Sequence, residues 1–135
     1  MPAYLFVYGT LMSTAPGAFG KAMRERLRCE AQLVGPAAIQ GRLYNLGRYP
    51  ALVDSDDPAD LVHGEIFALR EPCKSFTWLD RYEGTAPGEH GHNEYQRVER
   101  PVRLASGEEI TAWVYLYRKS IAGAPRIASG RWGSV

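Results

Sequence analysis

Phe76, Leu79 and Glu83 stand at i, i+3 and i+7, so on a helix they share one face. The acid thereby continues an apolar stripe. It also falls near a helix C-terminus, where the dipole disfavours a further negative charge. Burial and dipole act in the same direction, and both raise a carboxyl pKa. A glutamate tuned toward neutrality is what general acid–base chemistry needs at physiological pH. The spacing is equally compatible with a helix-end glutamate paired with Arg81 or another cation.

A second candidate lies at the other end of the chain. Tyr4-Leu5-Phe6-Val7-Tyr8 is a run of strand formers that breaks on Gly9-Thr10-Leu11. Where a strand ends in this way, successive backbone N–H groups can turn together into an anion-receptive nest. One such donor to a developing oxyanion is worth ~100- to 1000-fold in rate. A plain turn is the alternative.

Glu89, His90, His92 and Glu94 are metal-ligand types, but H-x-H in a glycine-rich stretch has no second ligand cluster at a recognisable distance. His63 is an isolated strand residue. The segment 84–94 reads as a polar loop, and no metal is assigned. There is no G-x-S-x-G elbow, no G-x-G-x-x-G and no P-loop, so a serine triad and phosphate cradling lack an anchor.

These residues need elements to hold them. The opening run is a strand. Ser13-Thr14 before Pro16 reads as a helix start, and Phe19, Met23 and Leu27 continue it at fourfold spacing, with Arg24, Arg26 and Arg28 toward the C-terminal end. Alternation predicts strands around Ile39-Gly41-Leu43 and Val62-Gly64-Ile66-Ala68, with the glycines marking bends in a curved sheet. Glu71-Pro72 opens a second helix running to about Tyr82, with Gly84 as its stop. Tyr95 to Leu104 and Glu109 to Tyr117 read as strands joined by a hairpin at Ser106-Gly107, and Pro101 marks an edge or a bulge. Trp113, Tyr115 and Tyr117 share one face of the last strand. Ile110, Ala112, Val114 and Leu116 share the other, so both faces are expected to be covered. Strands with two clear helices make an α+β domain, the strands curled into a barrel.

The 135 residues suit one domain, with residues 118–135 as a C-terminal extension that Ile127 and Trp132 dock on the body. The net charge of +1 gives no nucleic-acid footprint. No apolar run is long enough to span a membrane. Cys29 and Cys73 have no CxxC partner and read as buried thiols in a reducing compartment. The opening Met1-Pro2-Ala3 shows no charged leader, and the expected location is cytoplasmic.

"FVYGTLM" at the N-terminus, "GRLYNLGRYPALV" at 41–53, "GEIFAL" at 64–69, "LDRYEG" at 79–84, "YQRVERPV" at 95–102 and "AWVYLY" at 112–117 occur in this order. Together they resemble the γ-glutamylcyclotransferase-like (AIG2-like) family, especially its small bacterial members and the γ-glutamylamine cyclotransferases, over residues 4–117. The resemblance implies a small mixed β-barrel flanked by helices, with a pocket at its mouth. It implies that the Tyr8-Gly9-Thr10-Leu11 loop binds substrate through its backbone, that Glu83 is the essential acid–base residue, and that Tyr95 lines the same pocket. The implied reaction releases 5-oxoproline from a small γ-glutamyl amine or amide and requires no metal or organic cofactor. Nucleic acid and membrane are not implied partners. Arg131, before Trp132, stands where many bacterial relatives are expected to carry an acid. Two other readings compete: a binding module that keeps the pocket without turnover, and an acyl-transfer or amide-hydrolysing enzyme using the same glutamate.

Overall fold

In the computed structural model, residues 3–9, 12, 21–47, 50–82 and 95–132 are described. The elements are β1 (Ala3–Val7), α1 (Lys21–Glu30), β2 (Ala31–Gln40), β3 (Arg42–Asn45), β4 (Pro50–Val53), β5 (Leu61–Leu69), α2 (Pro72–Tyr82), β6 (Tyr95–Leu104) and β7 (Glu109–Tyr117). Five strands close a barrel in the order β1-β5-β2-β6-β7, and β3 and β4 form a separate two-stranded sheet. All barrel pairings are antiparallel except the closing one, where β1 runs parallel to β7 at Leu5↔Trp113. The fold is therefore α+β, a small mixed barrel flanked by helices.

Alternation along the strands gives the barrel two apolar faces. Phe6, Tyr8, Ile39, Val62, Ile66, Ala112, Val114 and Leu116 turn inward, capped by Leu43 and Leu52 of the small sheet. Leu5, Val7, Phe67, Leu69 and Tyr115 turn outward, under Leu27 of α1 and Phe76 and Leu79 of α2. Both faces of β7 are thus covered, as the sequence predicts.

The two glycine positions differ in kind. Gly41 is the bend at which the chain leaves β2 for the small sheet, its N–H donating to Asp60 O at 2.9 Å. Gly64 stays within β5, and a Cβ there would sit 2.1 Å from Val7 O. It is needed for close approach of β1. Pro101 holds regular register with Thr111 and carries no bulge. It lies on the edge of β6 that faces away from β7.

Glu30, the last residue of α1, joins the helices. Its Oε1 accepts from Ser75 Oγ at 2.8 Å and Trp78 Nε1 at 3.0 Å, and its Oε2 from Arg26 Nε at 3.0 Å. Burial acts to raise the carboxyl pKa, but the hydrogen bonds from Trp78, Ser75 and Arg26, with the Arg26 charge, outweigh it and hold the group at about 2.

Residues after β7 run back along the body. Asn45 N donates to Pro125 O at 2.8 Å, Ile127 N to Leu43 O at 2.7 Å, and His63 N to Gly130 O at 2.8 Å. Asp60 takes Arg42 at 2.6 Å and Arg126 at 2.8 Å. Hydrogen bonds from Ser55 and both arginines hold its carboxyl well below the usual carboxylate range. Trp132 packs against both apolar clusters.

The cysteines correct one expectation. Cys29 and Cys73 are both exposed and unpaired, because each falls on the solvent side of its helix while Leu27 and Phe76 take the inner side. The helix start at Ser13, Thr14 and Pro16, Phe19, the stop at Gly84 and the 84–94 loop lie outside the described residues. Among the described residues, no helix is long and apolar enough to cross a membrane.

Candidate active site

The site begins where β1 ends. Phe6 and Tyr8 both point into the barrel, and their rings stack with centroids 6.2 Å apart. The Tyr8 hydroxyl donates to Tyr115 O at 2.5 Å, which fixes the end of β1 to β7. Gly9 follows, buried against Pro50. A Cβ at Gly9 would lie 2.8 Å from both Cγ and Cδ of that proline. Met12 N–H donates to Gly9 O at 3.0 Å, and the buried Met12 side chain belongs to the outer cluster.

Pro50 also receives Tyr95. Opening β6, this tyrosine donates its hydroxyl to Pro50 O at 2.7 Å and packs edge-to-face on Tyr117 at 5.3 Å. Asp54, just past β4, braces the same region through a two-pronged pair with Arg100 at 3.1 and 2.9 Å. The Arg100 hydrogen bond lowers the Asp54 pKa against the opposing effect of burial. Of the residues singled out from sequence, Gly9 and Tyr95 are therefore brought onto Pro50, and Tyr8, beside Gly9 in the chain, is held on Tyr115. Thr10, Leu11 and Glu83 lie outside the described residues, as do His90 and His92.

The last turn of α2 is tied to this corner by a residue the sequence reading passed over. Asp80 Oδ1 accepts from Tyr115 Oη at 2.7 Å and from Arg97 Nε at 2.9 Å, with Arg97 also reaching Oδ2 at 3.3 Å. The Arg97 guanidinium lies 3.9 Å from the Phe76 ring centroid and 4.8 Å from that of Trp113, a cation held between two aromatic faces. A signal for Asp80 was available. It stands four residues after Phe76 on the same helical face, so it continues the stripe as Glu83 was argued to do. Tyr115 thus holds α2 with its side chain and Tyr8 with its carbonyl. Glu83 follows Tyr82, the last residue of this helix.

Among the described residues, no group of three His, Cys, Asp or Glu side chains is placed to hold a metal ion.

A family model described as "Gamma-glutamyl cyclotransferase, AIG2-like" matches residues 5–134. The chain belongs to the γ-glutamyl cyclotransferase, AIG2-like family. One relative in the family is the γ-glutamylcyclotransferase family protein YtfP of Escherichia coli K12, 30% identical over 129 residues that span 95% of this chain and 94% of that one. Among solved structures, an AIG2-like protein of Mus musculus superposes with a TM-score of 0.68 at 25% identity, covering 92% of this chain and 84% of its own. Bacillus subtilis YkqA shares the fold with a TM-score of 0.68 at 23% identity. There the match covers 98% of this chain but 40% of the larger one. In the numbering of this AIG2-like chain, the motif segments 64–69, 95–102 and 112–117 fall within β5, β6 and β7 of the barrel.

Proposed function

We propose that this chain is a cyclotransferase that releases 5-oxoproline and a free amine from a small γ-glutamyl amine or amide. One juxtaposition carries the reading. Gly9 and Tyr95 meet on Pro50, while Tyr115 binds both Tyr8, next to Gly9, and Asp80 in the last turn of α2. This arrangement occurs in a chain of the γ-glutamyl cyclotransferase, AIG2-like family.

In the proposed reaction, the α-ammonium of the γ-glutamyl group gives a proton to Glu83. The freed amine attacks its own γ-carbonyl carbon, forming the new C–N bond of the ring. The tetrahedral oxyanion is stabilised by backbone N–H groups of the Gly9-Thr10-Leu11 stretch. As collapse breaks the bond to the leaving amine, Glu83 returns the first proton to that nitrogen, and it then carries the second proton lost by the ring nitrogen to the freed amine, which departs as an ammonium. The attack is intramolecular, so the protein's contribution is to hold a cyclisation-ready conformer and to relay two protons from the attacking nitrogen to the leaving one. Close packing of Gly9 on Pro50 supports this role, because it fixes the backbone that would carry the oxyanion donors.

Incubating the purified chain with γ-glutamyl amines and dipeptides while measuring 5-oxoproline tests the proposal. Turnover that disappears in Glu83→Gln is expected. Turnover that survives this substitution would overturn the assigned mechanism. Binding of 5-oxoproline without turnover across the panel would leave the binding-module reading, and hydrolysis without ring closure the amide-hydrolase one.

A further inference from the structure

The ladder between β2 and β6 is only two pairs long, Ala37↔Leu104 and Ala38↔Arg103. Leu104 N–H donates to Glu108 O across the hairpin. Even-numbered main-chain groups of β6 therefore address β7, and odd-numbered ones address β2. The next group due to pair with β2 is that of Pro101, which has no N–H to give. The ladder stops there, and a cleft of about 580 Å³ lies over this seam.

Its floor follows from the register. His63↔Ala38, Ala38↔Arg103 and Arg103↔Glu109 form one row across β5, β2, β6 and β7. Their neighbours Val62, Ile39 and Val102 turn into the barrel, so this row turns outward. Ala38 is the low point, a methyl group between an imidazole and a guanidinium. Arg131 rises on the β5 side, where Gly130 O accepts from His63 N–H. Burial and the Arg131 charge push the His63 pKa down, which favours the uncharged imidazole. Pro58, Leu61 and Pro101 add apolar walls, and neither helix contributes to the lining.

We propose that this cleft binds a small organic anion, an apolar body carrying a carboxylate or phosphate group, held by Arg103 and Arg131 across the Ala38 floor. Arg26, Arg42, Arg97, Arg100 and Arg126 each have a carboxylate partner. Arg103 and Arg131 form no ion pair among the described residues. The Glu109 carboxylate in the lining belongs to β7, on the far side of Arg103, so the Ala38 side is the electrostatically favourable place for an anion. The volume suits a small ligand. The cleft shares no residue with the Tyr8, Gly9, Pro50 and Tyr95 cluster and does not depend on the proposed reaction.

Titrating the isotope-labelled full chain with phenyl phosphate, benzoate, inorganic phosphate and benzyl alcohol, followed by amide chemical shifts, tests the site. Saturable shifts centred on Ala38, His63 and Arg103 are expected for phenyl phosphate or benzoate, and whichever binds tighter identifies the acid group. Inorganic phosphate should bind more weakly, and benzyl alcohol should not saturate. Arg103→Gln and Arg131→Gln should each weaken the organic anion about tenfold. Ala38→Phe should block it by filling the floor, with shifts around Tyr8 unchanged as a check on the fold. The proposal is overturned if no organic anion saturates, if inorganic phosphate or benzyl alcohol binds as well as phenyl phosphate and benzoate, or if all three variants bind like the parent chain.

Discussion

Tyr115 donates its hydroxyl to Asp80 at 2.7 Å while its own carbonyl receives the hydroxyl of Tyr8. One residue of β7 therefore couples the end of the first strand to the last turn of α2. Removing the side-chain half of this link, by Tyr115→Phe, should lower stability by about 1–2 kcal/mol, the range for a partly exposed hydrogen bond to a charged acceptor. A urea midpoint measurement reads it. On the proposed function, 5-oxoproline release should fall further than stability alone accounts for, because the helix preceding Glu83 loses a tether.

Gly9→Ala places a methyl group 2.8 Å from Pro50 Cγ and Cδ, so the Gly9 backbone or the proline must shift. Overpacking of this kind costs about 1–3 kcal/mol. Gly64→Ala is the harsher change, since its Cβ would meet the backbone oxygen of Val7 at 2.1 Å and a main chain cannot rotate aside. Thermal unfolding should rank Gly64→Ala below Gly9→Ala. The reverse order would contradict the packing described here.

Tyr95→Phe leaves the buried Pro50 carbonyl without the hydroxyl that reaches it. The expected loss is about 1–3 kcal/mol, read by chemical denaturation. If the proposed site is correct, KM for a γ-glutamyl substrate should rise as well.

The Glu30 clamp predicts a specific acid response. Its carboxyl has a folded pKa of about 2 against an ordinary 4.5, so the folded state binds fewer protons at this group than the unfolded chain does. The resulting stabilisation is complete above about pH 5 and drains away as pH falls from 4.5 toward 2. Glu30→Gln should be less stable than the parent at neutral pH, and the gap between their urea midpoints should close over that acidic window. A gap that stayed constant down to pH 2 would refute the assignment.

Asp60 holds Arg42 and Arg126 at once, so it bears on the segment after β7. Asp60→Asn should expose that segment to trypsin, with faster cleavage after Lys119 and Arg126 than in the parent. Unchanged cleavage would assign the docking to Ile127, Trp132 and the main-chain bonds alone.

Much of this fold can be read from local pattern. α2 spans Pro72–Tyr82, and β6 and β7 span Tyr95–Leu104 and Glu109–Tyr117, because proline starts, strict alternation and a Ser-Gly turn are signals carried by neighbouring residues. Other features depend on partners far along the chain. The first half of β2 contains Gly35-Pro36, a pair unfavourable to a strand interior. It is tolerated because Pro36 O accepts from Ala105 N, which places the missing proline N–H on the β6 side, just past the last ladder pair at Ala37. β4, four residues long, is too short to show a period. At the candidate site, Tyr8, Gly9 and Tyr95 were legible through their motifs and Asp80 only by its place on the α2 stripe, whereas Pro50 and the partners of Asp80 were not. Pro50 acts through its ring and carbonyl, and Asp80 through a register that sets Arg97 opposite Tyr115.

The parallel seam between β1 and β7 also bears on how the molecule comes to exist. Leu5 emerges from the ribosome long before its partner Trp113, with every other strand of the barrel between them. Until then the opening strand can pair with β5 on one side alone, and its other edge stays exposed. Closure is thus a late and highly non-local step, of the kind that slows folding and leaves a nascent edge open to pairing with other chains. A ribosome stalled before β7 would present a sheet that no rearrangement of the earlier strands can finish.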